Sequence, residues 1–185
     1  MRGSKAALQK VFDESVKAAH RQRAGVTGGE RLHDPVLRSV ADRLVDRVLD
    51  CDKTFANALL LGGCQDVVTA SLTPGTKGLE RVTHVDSSPN LLEHASSVAS
   101  NSFPSSSCDR EFVTAEQESL LEHVPEQRFD LAIACLGLHW ANDLPGAMVQ
   151  ARRALKPDGF FLAAIFGEET LPVRSAPLPL PFHTV

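Results

Sequence analysis

The chain has 185 residues, 43% of them hydrophobic and 23% charged, the size and balance of one globular domain with an ordinary core. A formal charge of −4 from 19 basic and 23 acidic side chains supplies no broad cationic field to hold a phosphate backbone, so nucleic acid is excluded as a first reading. The longest apolar runs, Leu131 to Leu138 and Phe160 to Gly167, fall far below the ~20 residues of a bilayer span.

Residues 5–23 read as the first helix, with Ser4 as N-cap and Leu8, Val11, Phe12, Val16 and Ala19 roughly on one face. Lys5, Lys10, Lys17, Arg21 and Arg23 are interrupted by Asp13 and Glu14, which suits a mature helix better than a targeting leader. A loop from Gly25 to His33 follows. Asp34 then caps a helix with Pro35 at its first position and Val36, Val40, Leu44 and Val48 repeating at four-residue steps.

Phe55 to Leu61 is a short apolar run ending in Gly62-Gly63, the pattern of a buried strand feeding a tight turn. A second strand, Arg81 to Val85, ends at Asp86. Ser88 caps the next helix, which Pro89 begins and which turns Leu91, Leu92, Ala95, Val98 and Ala99 inward until the Ser-rich stretch 101–110 stops it. A third strand is read at Glu111 to Ala115.

Phe129 to Cys135 has the continuous apolar character of a central strand covered on both faces. Asn142 or Asp143 caps a further helix carrying Leu144, Met148, Ala151 and Leu155, and Lys156-Pro157-Asp158-Gly159 is a turn into a fifth strand, Phe160 to Phe166. Strands alternating with helices at this spacing make right-handed βαβ units and a mainly parallel sheet, hence an α/β, Rossmann-like three-layer sandwich. The divisions expected are an N-terminal helix and loop (1–33), the Rossmann-like domain (34–170) and a Pro-rich tail (171–185). Pro172, Pro177, Pro179 and Pro181 should keep that tail from forming strands, leaving Leu178, Leu180 and Phe182 to lie against apolar surface.

In such a sheet a ligand sits beyond the carboxyl ends of the strands, where glycine lets backbone approach it. Gly62 and Gly63 occupy that turn. Asp86 follows Gly63 by 23 positions, close to the ~20 expected of an acid that accepts hydrogen bonds from a ribose. Ordinary turn chemistry accounts for the same residues. Cys51, Cys64, Cys108 and Cys135 form no CxxC pair and read as reduced intracellular thiols; Cys64 is either a buried inert thiol or a reactive one. The histidines show no metal-ligand spacing, so no metal is expected.

The chain resembles the class I S-adenosylmethionine-dependent methyltransferases of the type-11 group. Within it, the chain is similar to the family of mitochondrial complex I assembly factors described as hydroxylating an arginine of a complex I subunit. The resemblance rests on Val11-Phe12-Asp13, Val40-Ala41-Asp42-Arg43, Phe129-Asp130-Leu131, Leu138-His139-Trp140-Ala141-Asn142-Asp143-Leu144-Pro145, Leu155-Lys156-Pro157-Asp158-Gly159 and Phe166-Gly167, in order over about residues 10 to 170.

It implies strand order 3-2-1-4-5, S-adenosylmethionine as cofactor, a cofactor turn on Leu60 to Asp66, a ribose acid at Asp86 and an adenine-side acid at Glu116. It also implies a protein partner and a mitochondrial location, with no clear leader before the first helix. Leu60 replaces the family's usual acid, and Cys64 and Asp66 replace glycines; a Cβ where φ is positive costs on the order of 1 kcal/mol, and Asp66 adds negative charge, so weakened cofactor binding is expected. The family fold has seven strands and five are legible, so the closing hairpin is expected to be missing and the fifth strand's edge unpaired.

His139 and Trp140 follow the fourth strand, where His139 can serve as a general base and Trp140 as a wall of a substrate pocket; a structural histidine and a packing tryptophan are the alternative. Three functions follow: an S-adenosylmethionine-dependent enzyme acting on a protein arginine, a cofactor-free assembly protein of the same fold, or an O-methyltransferase on a carrier-linked acid.

Overall fold

The computed structural model describes residues 10–26, 28–72, 75–102 and 108–167. Five strands, β1 (Asn57–Gly63), β2 (Arg81–Asp86), β3 (Asp109–Thr114), β4 (Phe129–Cys135) and β5 (Leu155–Ala164), form one sheet in the order β3-β2-β1-β4-β5. Every neighbouring pair is parallel, as expected. β1 and β4 sit in the middle, which is why their sequences are apolar apart from Asn57 and Asp130. Alternate side chains go to opposite faces: Ala58, Leu60, Leu131 and Ile133 join one core cluster, and Leu59, Leu61, Ala132 and Ala134 the other.

The first cluster is covered by α3 (Pro35–Asp50) and α4 (Gln65–Ser71), the second by α6 (Leu144–Ala154) and the 3-10 turn Gln117–Glu122, giving three layers. α3 begins as its sequence requires, since Asp34 Oδ1 accepts from the N–H groups of Val36 (2.8 Å) and Leu37 (3.1 Å). Its inward stripe is Ala41, Leu44, Val45 and Val48, whereas Val36 is exposed. Asp34→Ala is expected to lower stability by about 1 kcal/mol through these two lost acceptor contacts, measurable as a fall in the urea midpoint.

Several boundaries differ from the sequence reading. The first helix, α1, is Glu14–Val26, and residues 10–13 are not helical. Asp13 is the reason: its Oδ1 accepts from Ser15 N (2.8 Å) and Val16 N (3.1 Å), capping the helix there. Ser4 lies outside the described residues. No residue of α1 is buried, and Val11 and Val16 are exposed, so the anticipated apolar face is not core. The loop expected at Gly25–His33 holds the end of α1 and a single helical turn, α2 (Gly28–Arg31).

α4 is absent from the sequence reading. Gln65, Asp66 and Thr69 are polar yet buried, so no amphipathic stripe marks it. α5 (Pro89–Ser102) starts where the Ser88-Pro89 pair indicates, with Ser88 Oγ accepting from Leu91 N at 3.4 Å. In α6 the N-cap is Asp143, whose Oδ1 accepts from Gly146 N at 2.9 Å. Ala147, Ala151 and Ala154 face inward there and Met148 is exposed.

β5 pairs from Leu155 onward, before the expected Phe160. Residues 156–159 are accommodated as a register shift between Phe129 and Leu131, with Asp158 at φ 62. Among the described residues β5 is an edge of the sheet; the Pro-rich tail 171–185 lies outside them. No described helix is long and apolar enough to cross a membrane.

Candidate functional site

β1 ends in two glycines of left-handed backbone, the second of which has no room for a side chain. Gly62 has φ 53 and Gly63 φ 63, in the left-handed region that Cβ disfavours. A Cβ on Gly63 would fall on the Cys135 carbonyl oxygen and lie 2.7 Å from Gly137 N and 2.8 Å from the Leu136 carbonyl carbon. The turn after β1 and the turn after β4 thus touch through their backbones, and the Cys64 N–H donates to the Cys135 carbonyl at 2.8 Å. At Gly62 the neighbour is the flexible Gln117 amide.

Two expectations for this turn are corrected. Cys64 has φ −101 and Asp66 lies within α4, so neither Cβ meets a left-handed backbone and the strain anticipated for them does not arise. Nor is the Asp66 charge unopposed. Arg31 Nη2 lies 3.1 Å from Asp66 Oδ1 and 2.9 Å from the Gly63 carbonyl, with His94 Nε2 3.5 Å from Asp66 Oδ2. Leu60 is fully in the core.

Asp86 stands at the end of β2 with no solvent exposure. Arg21 of α1 grips it with two nitrogens, Nη2 on Oδ2 and Nε on Oδ1 (3.2 Å). Ser88 N (2.8 Å) and Gln65 Nε2 (3.2 Å) donate to the same carboxylate. Gln65 Oε1 in turn faces His84 Nδ1 at 3.2 Å. Burial lowers the His84 pKa from 6.5 to about 3, so its ring is neutral near pH 7 and stacks on Phe112 at 4.7 Å. Glu116, just past β3, pairs with Lys17 at 3.4 Å.

Lys17, Arg21 and Arg31 are the site residues that sequence reasoning missed. Lys17 and Arg21 are four apart and share a helix face, a spacing visible in the sequence but with no indication of what it faces.

A cavity of about 570 Å3 opens between α1 and the carboxyl ends of β1 and β4. Phe12, Val16, Gly63, Cys64, Leu91 and Trp140 supply much of its wall. Next to it, a space lined by Lys17, Arg21, Ser87, Ala115, Glu116 and Gln117 holds only about 20 Å3. Trp140 lines both spaces.

His139 lines neither. Its ring packs against Trp140 (5.1 Å) and Phe166 (4.7 Å), its Nδ1 is buried without a hydrogen-bond partner, and burial lowers its pKa. The segment before α1 is fastened by Asn142, whose Oδ1 accepts from Val11 N (2.9 Å) and Phe12 N (2.8 Å) and whose Nδ2 donates to the Phe12 carbonyl (3.1 Å). Phe12 meets Trp140 edge-on at 5.4 Å.

The edge offers an adenosyl cofactor a glycine turn and a buried acid at the end of β2, the acid being held by Arg21. Its nucleoside half becomes available when Arg21 and Lys17 withdraw. The residues fit the group on that condition.

Comparison with known proteins shows the family and the fold. A methyltransferase domain family (type 11) matches residues 59–163. A zebrafish (Danio rerio) protein named arginine-hydroxylase NDUFAF5, mitochondrial, is 34% identical over 161 residues, covering 87% of this chain and 46% of that protein. A malonyl-[acyl-carrier protein] O-methyltransferase of Halorhodospira halophila is 33% identical over 134 residues, 72% of this chain and 43% of its own. The chain thus spans less than half the length of these relatives. Among solved structures, a putative S-adenosylmethionine-dependent methyltransferase of Methanococcus maripaludis superposes with a TM-score of 0.58 over 89% of this chain and 67% of its own, at 15% identity. That last likeness concerns the fold.

Proposed function

The chain belongs to the type-11 methyltransferase domain family, and from that premise we propose that the edge built by Gly62, Gly63, Asp86 and Glu116 binds S-adenosylmethionine. We infer further that the domain serves a mitochondrial protein-arginine hydroxylase of the kind its relatives are named for, with an arginine of a complex I subunit as the protein substrate that the resemblance implies.

The observation that carries the reading is the Gly62-Gly63 turn, whose positive φ angles and lack of room for a Cβ stand beside a buried acid at the end of β2. Each residue has a task in it. The glycines let backbone N–H groups approach the cofactor, Asp86 accepts from the ribose hydroxyls in place of Arg21, and Glu116 accepts from the adenine side in place of Lys17. Trp140 walls the adjoining cavity, where its exposed face can meet a substrate side chain. His139 supports Trp140 from behind and, held neutral by burial, is the candidate base if the ring turns toward the cavity. When bound, the cofactor would supply a methyl carbon activated by a sulfonium centre, which is methyl-transfer chemistry; hydroxylation of an arginine needs in addition an oxidant of the dioxygen or peroxide class.

One observation favours a second reading, a cofactor-free assembly protein. The Arg21–Asp86 and Lys17–Glu116 pairs already satisfy both acids from within the chain, and a closed site of this kind is stable without ligand. Calorimetric titration with S-adenosylmethionine separates the two. Saturable binding is expected, and an absence of heat at roughly millimolar ligand, where even a weak complex would register, would overturn the cofactor reading in favour of the scaffold.

A further inference from the structure

The turn that carries the glycines also brings two thiols together. Gly63 lies opposite Cys135 in the β1–β4 pairing, the Cys64 amide bonds to the Cys135 carbonyl at 2.8 Å, and both side chains belong to the same core cluster. Both cysteines are free of disulfides. Their surroundings differ in a way that assigns them different parts. Cys64 is 7% exposed and lines the 570 Å3 cavity, which is the route by which a small reagent approaches it. Cys135 is 2% exposed and packs in the core beneath.

Charge sharpens the difference. The hydrogen bond from Cys135 favours the thiolate of Cys64, as does the Arg31 guanidinium beside it, against opposition from burial and from Asp66. Asp66 is itself held by Arg31 and faces His94. The net result is a Cys64 pKa below the ordinary thiol value. Cys135 is pushed the other way, because its proton serves the Cys64 sulfur and burial disfavours its charge. A cavity-lining sulfur of thiolate character beside a more deeply buried protonated one is the arrangement in which the first reacts and the second resolves.

We propose that Cys64 and Cys135 are an oxidisable thiol pair, in which hydrogen peroxide entering the cavity oxidises Cys64 and Cys135 then closes a disulfide tying the turn after β1 to the end of β4. The Cys64 thiolate attacks one peroxide oxygen and the O–O bond breaks, giving Cys64 sulfenic acid and hydroxide, which takes a proton to leave as water. The Cys135 sulfur then attacks the Cys64 sulfur, the S–O bond breaks, and a second water departs with the Cys135 proton. Two thiols are oxidised to one disulfide while the peroxide is reduced by two electrons to two waters. The proposal needs no cofactor at the site, so it stands or falls apart from the reading above.

Cys51 and Cys108 serve as internal comparisons. The Cys51 sulfur donates to the Arg47 carbonyl at 3.2 Å, and burial raises the Cys108 pKa. Neither has the Cys64 setting.

The test is thiol mapping on the reduced chain after exposure to a few equivalents of hydrogen peroxide. Peptide mass spectrometry should show a cross-linked pair containing Cys64 and Cys135, with free thiols falling from the four of the sequence to two. Cys135→Ser should leave Cys64 as a sulfenic acid trapped by a cyclic 1,3-dione, and Cys64→Ser should leave Cys135 free. Survival of all four thiols, or consumption of Cys51 or Cys108 ahead of Cys64, would overturn the proposal. The wild-type map decides between these outcomes even if a serine variant folds poorly.

Discussion

Gly63→Ala should cost on the order of 3 kcal/mol or more of folding stability and leave little native protein at 37 °C. Two penalties combine. At φ 63 any Cβ is strained by about 1 kcal/mol or more. The methyl also meets backbone on the facing turn, at the Cys135 carbonyl, Leu136 and Gly137. Backbone held in a central parallel sheet does not move aside as a side-chain end would, and overpacking of this sort adds about 1–3 kcal/mol.

Gly75→Ala supplies the control. It has φ 78 but no heavy atom within 4 Å of the Cβ position, so it should lose only the backbone share, about 1 kcal/mol. Urea denaturation of both variants measures the difference. Equal losses would show that the close approach of the two turns contributes nothing.

Asp86→Ala should be as damaging, for an electrostatic reason. The carboxylate has no solvent exposure and the Arg21 side chain only 15%, so deleting the acid strands a nearly buried guanidinium. Breaking one partner of such a pair costs about 3–5 kcal/mol, and the Ser88 amide and the Gln65 side chain lose their acceptor as well.

Much of that loss should return when Arg21 is also replaced by leucine, since the stranded charge is then gone. A double-mutant cycle in urea measures the recovery. Additive losses would mean that Arg21 and Asp86 do not depend on each other. The single variant should in addition bind no S-adenosylmethionine, and amide exchange across α1 should quicken.

The sequence revealed the sheet more readily than the site. Leu59–Leu61 and Leu131–Cys135 announce themselves because strands buried on both faces carry no polar alternation, and Asp34-Pro35 and Ser88-Pro89 mark helix starts by local chemistry alone. α4 escaped because Gln65, Asp66 and Thr69 are polar residues buried by the contacts they make, which no periodicity displays. α1 starts later than its apolar spacing suggests because Asp13 caps it there, while the Val11 and Phe12 amides turn to Asn142 instead of continuing the helix.

The same logic divides the site. Gly62, Gly63 and Asp86 were visible through spacing along one βαβ unit. Arg21 and Arg31 were not, since their partners lie 65 and 35 residues away and the side chains of charged helices carry no mark of destination.

The Asn142 clasp has a kinetic consequence. It joins residues about 130 positions apart, and a contact that remote offsets its loop-closure entropy only once the intervening sheet exists. The segment from Val11 through α1 therefore docks after the sheet as the chain folds, and with no buried residue of its own it detaches from the native state before the five strands do. Exchange of whatever occupies the cavity beneath it is then timed by this local opening, at a rate that leaves the five strands intact and is set independently of how firmly they hold together.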